Sequence, residues 1–173
     1  PNADTKRAVG DDAVTFSHVS MSYASTSEEA LTDIDFTAKR GETIGIIGGT
    51  GSGKSSVVNL IPRFYDVSKG SVSIDGKDVR DYDLTELRDK IGVVMQKAVL
   101  FQGTIAENLR WGKPDATDEE LWKAIEVAQA TDVVEGKEGK LDYMIEQGGR
   151  NLSGGQKQRL TIARAVVKNP DIL

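Results

Sequence analysis

The chain has 173 residues, with 22 Lys and Arg against 27 Asp and Glu, so its formal net charge is −5 at pH 7. This mild acidity disfavours a broad basic face for nucleic acid, and we expect no nucleic-acid partner. The absence of cysteine and the single histidine, His18, exclude disulfide scaffolds, cysteine-ligated zinc and polyhistidine metal sites. No apolar run approaches the ~20 residues of a bilayer helix.

The first half of the chain predicts a mixture of strands and short helices. Residues 1–12 are polar and aperiodic, typical of a linker or tail. Alternation of apolar and polar residues predicts strands at 14–23, 34–38 and 72–76. Segments 43–47 and 91–95 are apolar on both faces, which is typical of buried parallel strands. Helices are predicted at 54–61, where Pro62 ends the helix, and at 84–90.

The second half of the chain is mainly helical, and three helix starts carry capping-box spacing. In each box a hydroxyl precedes a Glu or Gln by three residues: Thr104 with Glu107, Thr117 with Glu120, and Ser153 with Gln156. Leu121, Ile125 and Ala128 follow the second box on one helix face. Asn169-Pro170 ends the last helix, and 171–173 reads as the first part of a further strand. The pattern indicates an α/β fold with a helical insert at about 104–150.

A glycine-rich loop lies between the apolar segment 43–47 and the predicted helix at 54–61. Its residues fit G-x-x-x-x-G-K-[ST]: Gly48, Gly49, Thr50, Gly51, Ser52, Gly53, Lys54 and Ser55. Glycines allow successive backbone N–H groups to turn inward around a phosphate. Lys54 can then reach the terminal phosphates, and the Ser55 hydroxyl can bind Mg²⁺. The loop therefore predicts a nucleotide-phosphate site.

A second motif, Leu152-Ser153-Gly154-Gly155-Gln156, precedes the last helix. The Ser153 hydroxyl and the two glycine amides could grip a γ-phosphate in the way the first loop does. The same residues would also serve as a plain helix N-cap after a flexible turn. Spacing alone leaves both interpretations open.

With both motifs, the chain resembles the nucleotide-binding domain of ATP-binding cassette (ABC) transporters of the exporter type, over residues 14–173. The phrases that carry the likeness besides the two motifs lie at 60–66, 92–96, 100–101 and 103–108. The resemblance implies one nucleotide-binding domain at 13–173. It implies a P-loop NTPase core with an N-terminal antiparallel β-subdomain and an inserted α-helical subdomain at about 104–150.

The resemblance also implies the ligands and the roles of particular residues. ATP and Mg²⁺ are the expected ligands, with Tyr23 stacking on adenine and Gly48 to Ser56 holding the phosphates. Gln96 matches the Q-loop glutamine, which contacts Mg²⁺ and the attacking water, so Lys54 and Gln96 are the catalytic candidates in this chain. Signature residues Ser153, Gly154, Gly155 and Gln156 would act in trans, on the nucleotide of a second domain.

The expected partners are a second nucleotide-binding domain, identical or different, and a transmembrane domain, which would hold the chain at the cytoplasmic face of a membrane. Two departures bear on this interpretation. The stretch 143–149 carries its acidic residue one position away from the family pattern. The family's Walker B strand, with its metal-linked aspartate and catalytic glutamate, would follow Ile172-Leu173, so we expect the chain by itself to be an inefficient ATPase.

Three functions follow: an ATP-driven motor, a degenerate regulatory ATP site with little hydrolysis, or a soluble non-transport ATPase of the same superfamily. The 98 positions between Lys54 and Leu152, without a heptad run, disfavour DNA-repair members, which carry a long coiled coil there. Outside the motifs, His18 is interpreted as a strand-face residue, and Trp111 and Trp122 as core or amphipathic residues. The acidic cluster at 115–120 is interpreted as a charged first helix turn.

Overall fold

The computed structural model of this protein describes residues 11–23 and 29–173. The strands in this part of the chain are β1 Asp12–Ser22, β2 Glu29–Lys39, β3 Lys69–Ile74, β4 Lys77–Asp78, β5 Gly103–Thr104 and β6 Met144–Ile145. The helices are α1 Lys54–Leu60, α2 Leu84–Asp89, α3 Ile105–Arg110, α4 Asp118–Val127, α5 Thr131–Glu135 and α6 Gly154–Val166. Residues 1–10 of the predicted tail lie outside the described residues, and its last residue, Asp12, begins β1.

The chain divides between Arg88 and Asp89 into two compact units. The first unit contains a four-stranded antiparallel sheet in the order β2-β1-β3-β4. Alternate residues of the central strand β1, such as Val14 and Phe16, are buried, and Phe16 stacks on Phe36 of β2 with 4.5 Å between ring centroids. The strands predicted at 14–23 and 34–38 are therefore confirmed, with β2 longer than the alternation suggested. Of the segment 72–76, residues 72–74 lie in β3, whereas Asp75 and Gly76 form the turn that leads to β4. The helices predicted at 54–61 and 84–90 are also present.

β1 and β2 are irregular where His18 and Asp33 adopt positive φ angles of 47° and 50°. The register between the two strands shifts from Phe16 to Val19. His18 Nδ1 lies 2.8 Å from Asp33 Oδ1 and 3.2 Å from Asp35 Oδ2, and all three side chains are exposed. His18 is a strand-face residue, as predicted, but it sits at a bulge and forms ion pairs with the neighbouring strand when it is protonated.

Segments 43–47 and 91–95 are not regular strands, so the prediction of two buried parallel strands is wrong. Ile44, Ile46 and Ile47 are 43%, 40% and 98% exposed. Of the second segment, only Ile91 pairs, through an isolated parallel bridge to Ile172. A parallel strand needs hydrogen-bonded neighbours, and none of the described strands pairs with 43–47. The apolar pattern therefore did not determine strand formation.

The second unit, Asp89–Leu173, is built around a helical core. All three capping boxes are present, with reciprocal hydrogen bonds at Thr104, Thr117 and Ser153. Leu121, Ile125 and Ala128 are buried on one face, as predicted. The hydrophobic core extends from Leu100 to Val167. The assignment of residues 104–150 to a separate helical subdomain stays a prediction.

The two tryptophans differ in environment. Trp122 packs against the helical core, in agreement with the prediction. Trp111 is 66% exposed and stacks on Phe101, with 4.6 Å between ring centroids, so a core role is wrong for this residue. The first turn of α4 is acidic, as expected for a helix N-terminus. Among residues 11–23 and 29–173, no helix combines the length and the apolar composition that a membrane span requires.

Candidate functional site

The glycine-rich loop reaches α1 through two residues in the left-handed region. Gly51 has φ 80° and Gly53 has φ 85°, and Gly53 is the N-cap of α1. A Cβ at Gly53 would lie 2.7 Å from Leu31 Cδ2 and 2.9 Å from the Ala30 carbonyl oxygen. Close approach of the loop to β2 therefore requires glycine at this position, in addition to the positive φ angle.

The Lys54 ammonium group lies against the backbone of its own loop. Its Nζ donates to the carbonyl oxygens of Gly48, at 2.8 Å, and Gly49, at 2.6 Å, and lies 3.3 Å from Ser52 Oγ. Lys54 is the first residue of α1, which begins without a side-chain cap. A fixed positive charge thus coincides with the positive end of a helix and with glycine backbone, which is chemistry suited to phosphate.

The predicted loop residues differ in exposure in a way that fits their expected roles. Ser55 is exposed, so its hydroxyl is open to a ligand, whereas Ser56 is buried. Gly53 and Lys54 are half-buried, and the remaining loop residues are exposed: Gly48, Gly49, Thr50, Gly51 and Ser52. These residues fit a bound Mg²⁺-triphosphate, because a backbone cradle, a cation and a free hydroxyl adjoin one another.

Tyr23 lies beside this loop. It follows β1 directly, and its hydroxyl is 2.8 Å from Ser56 Oγ in α1. A cavity of about 280 Å³ is lined by Tyr23, Ala30 and the loop residues Gly51, Ser52, Gly53, Lys54, Ser55 and Ser56. The structure therefore brings the predicted aromatic residue to the predicted phosphate loop.

The signature residues occupy the start of α6. The backbone N–H of Gln156 donates to Ser153 Oγ at 3.2 Å, and the backbone N–H of Ser153 donates to Gln156 Oε1 at 3.0 Å. Ser153, Gly154 and Gly155 are exposed. The N-cap interpretation is confirmed, and it is compatible with a ligand role. The Ser153 oxygen accepts the capping hydrogen bond, so its O–H remains a donor.

Gln96 lies in an exposed bend of the second unit, just after the segment 91–95. Its contact with Mg²⁺ and water stays a prediction.

Asn108 is a buried polar residue to which the sequence gave no role, and it is 2% exposed. Its side chain accepts from the Phe101 amide at 2.9 Å and donates to the carbonyls of Phe101 and Thr104. Asn108 thus ties the backbone at Phe101 to the start of α3.

Tyr65 is a second residue without a role in the sequence interpretation. Its ring meets Tyr23 edge-to-face, with 5.1 Å between ring centroids and 88° between ring planes. Its only sequence signal is its place among the exporter-like residues 60–66 that follow the phosphate loop.

The β-subdomain, the helical unit and the glycine-rich loop together define an α/β protein of the P-loop class. The family model described as "ABC transporter" matches residues 31–173. The chain therefore belongs to the ABC transporter family.

Relatives within the family include exporters. The Beta-(1→2)glucan export ATP-binding/permease protein NdvA of Rhodopseudomonas palustris strain BisB18 is 51% identical over 160 residues, covering 92% of this chain and 26% of the relative. The "Uncharacterized ABC transporter ATP-binding protein YwjA" of Bacillus subtilis strain 168 is 43% identical over 160 residues, covering 92% and 28% respectively. The chain spans about a quarter of the length of these relatives.

The chain is also similar to the solved structure of a bacterial Atm1-family ABC exporter with ATP bound, with a TM-score of 0.87 and 37% sequence identity. The match covers 94% of this chain and 28% of the solved one. The predicted α/β fold and the exporter-type resemblance are thus confirmed.

Proposed function

We propose that this chain is the ATP-binding and ATP-hydrolysing domain of an ABC exporter, working at the cytoplasmic face of a membrane. Two such domains would close around Mg²⁺-ATP and reopen after hydrolysis, driving a transmembrane partner between access states. The observation that carries the proposal is the convergence of Tyr23 with Lys54 and Ser55 on one cavity. An aromatic ring, a cation and a metal-binding hydroxyl match the base, the phosphates and the metal of one nucleotide.

In this proposal the chemistry is in-line attack of water on the γ-phosphate of ATP. Lys54 exchanges its carbonyl partners for phosphate oxygens and stabilises the negative charge that develops on them. The Ser55 hydroxyl would hold Mg²⁺, whose positive charge would offset the negative charge of the phosphates. Ser153 donates its O–H to the γ-phosphate held by the second domain, and Gly154 and Gly155 offer backbone amides beside it.

The regulatory alternative keeps the same binding residues but removes most of the hydrolysis. ATP turnover by the assembled transporter separates the two functions. Turnover that Lys54→Ala abolishes supports the motor, and nucleotide binding without turnover supports the regulatory site. The transmembrane partner would select the transported substrate, and the second nucleotide-binding domain would be either a copy of this chain or a different one.

Calorimetric titration of the chain with Mg²⁺-ATP tests the binding part of the proposal. Lys54→Ala removes a charge-assisted contact worth about 1.5–3 kcal/mol, so affinity should fall roughly tenfold to hundredfold. Lys123→Ala, which removes an exposed lysine of α4, is the matched control and should bind as the wild type does. Equal affinities for all three proteins would contradict a phosphate role for the loop.

A further inference from the structure

We infer that Tyr65 and Ser56 are positioning residues that hold the Tyr23 ring as a preformed platform for the base of the nucleotide. The inference rests on the proposed function and deepens it. It extends the base site from one aromatic residue to a three-residue assembly within the first unit, and it makes base affinity depend on a residue that need not touch the ligand.

The Tyr23 side chain is held at both of its ends. The backbone continues from β1, which pairs on both sides within the sheet. At the far end, the hydroxyl is 2.8 Å from Ser56 Oγ, and Ser56 is only 6% exposed. Ser56 lies in α1 two residues after Lys54, so this hydrogen bond ties the ring to the helix that begins with the phosphate-binding lysine. The hydrogen bond therefore restrains the distance between the Tyr23 hydroxyl and the start of α1.

Tyr65 restrains the tilt of the same ring. An edge-to-face pair is a preferred aromatic geometry and resists rotation of either ring. In such a pair Tyr65 contacts at most one face of the Tyr23 ring, so it leaves the other face of that ring uncovered. A platform of this kind loses less conformational entropy when a base stacks on it than a freely rotating tyrosine would lose.

The turn that carries Tyr65 is itself held firmly. Arg63 Nε donates to Asp66 Oδ1 at 2.7 Å, across Tyr65, and this hydrogen bond lowers the pKa of Asp66. Arg88 donates to the carbonyl oxygens of Pro62 and Arg63 at 3.2 Å each. The ring of Tyr65 is therefore presented from a turn with fixed backbone, which is what a positioning residue requires.

The test compares Mg²⁺-ATP with magnesium tripolyphosphate, which carries the phosphates without a base. Tyr65→Leu should weaken ATP binding about twofold to tenfold, the worth of an aromatic pair, and change tripolyphosphate binding by less than about twofold. Tyr65→Phe keeps the ring and should retain the wild-type ratio of the two affinities. Tyr23→Phe removes the hydroxyl contact with Ser56 without altering the phosphate loop, and it should lower the same ratio.

A double-mutant cycle decides whether Tyr65 acts through Tyr23. In the Tyr23→Ala background, Tyr65→Leu should leave the ratio of ATP to tripolyphosphate affinity unchanged. The inference would be overturned if Tyr65→Leu lowered the affinities for both ligands equally. It would also be overturned if the effect of Tyr65→Leu on the affinity ratio were undiminished in the Tyr23→Ala background. Failure of the proposed function is distinguishable, because the wild-type chain would then bind neither ligand. If Tyr65→Leu does not fold, as judged by circular dichroism, Tyr65→Met takes its place in both measurements, with the same expected and contradicting results.

Discussion

Alanine at Gly53 should destabilise the protein substantially more than alanine at Gly51. Both residues have nearly the same positive φ, 85° and 80°, so each substitution places a Cβ in the left-handed region at a cost of about 1–2 kcal/mol. The Cβ at Gly51 would meet no atom within 4 Å, whereas the Cβ at Gly53 would lie 2.7 Å from Leu31 Cδ2 and 2.9 Å from the Ala30 carbonyl oxygen.

The second contact cannot be relieved by rotating a side chain, because the Ala30 oxygen belongs to the backbone of β2. Leu31 is itself buried, at 5% exposure, and has little room to move. Overpacking of this kind costs about 1–3 kcal/mol, so Gly53→Ala should lose about 2–5 kcal/mol in all. The difference between the two variants, about 1–3 kcal/mol, isolates the collision from the shared backbone strain.

Urea unfolding monitored by circular dichroism measures both losses, and the midpoints can be compared if the slopes agree. Gly51→Ala is the matched control for the left-handed conformation. Equal free energies of unfolding for the two variants would refute the reasoning that β2 packs against the loop at Gly53.

Two further predictions concern the capping boxes and the histidine cluster. Ser153→Ala and Thr117→Ala should each lower the free energy of unfolding by about 1 kcal/mol in urea titrations, because each removes an N-cap hydroxyl. Only Ser153→Ala should also weaken Mg²⁺-ATP-dependent dimerisation in sedimentation experiments, and parallel losses would contradict a role in trans. The hydrogen bond to Asp33, followed by the charge of Asp35, raises the pKa of His18 above 6.5. The folded state thus binds this proton more tightly, so the stability advantage of wild type over His18→Gln should be complete below 6.5 and fall as the pH rises through the raised pKa. An advantage that does not change with pH would exclude this linkage.

Several elements could be predicted because their determinants are local. A capping box needs only a hydroxyl and an acid or amide three residues apart, and the boxes at Thr104, Thr117 and Ser153 all form. The alternation in β1 and β3 likewise encodes a sheet with one buried face. The glycine-rich loop could be recognised for the same reason, since neighbouring residues supply its backbone freedom, its charge and its hydroxyl.

The segments 43–47 and 91–95 could not be predicted correctly, because a parallel strand depends on partners from distant parts of the chain. Composition indicates that Ile44, Ile46 and Ile47 can be buried, but pairing decides whether they are. The short antiparallel pairing of β5 with β6 could not be predicted for the same reason, since Gly103 pairs with Ile145 across a long separation in the chain.

The sequence by itself determined the phosphate loop, the three helix caps and the strands β1, β2 and β3 of the antiparallel sheet, because each depends on residues within one turn or one strand. Only the tertiary structure decided that Tyr23, Ser56 and Tyr65 form one assembly beside Lys54. These residues come from the end of β1, from α1 and from the turn after it, and no local propensity specifies their contact. Long-range packing must first overcome the entropy of closing the intervening chain, and the geometry of the sheet against α1 determines which side chains meet.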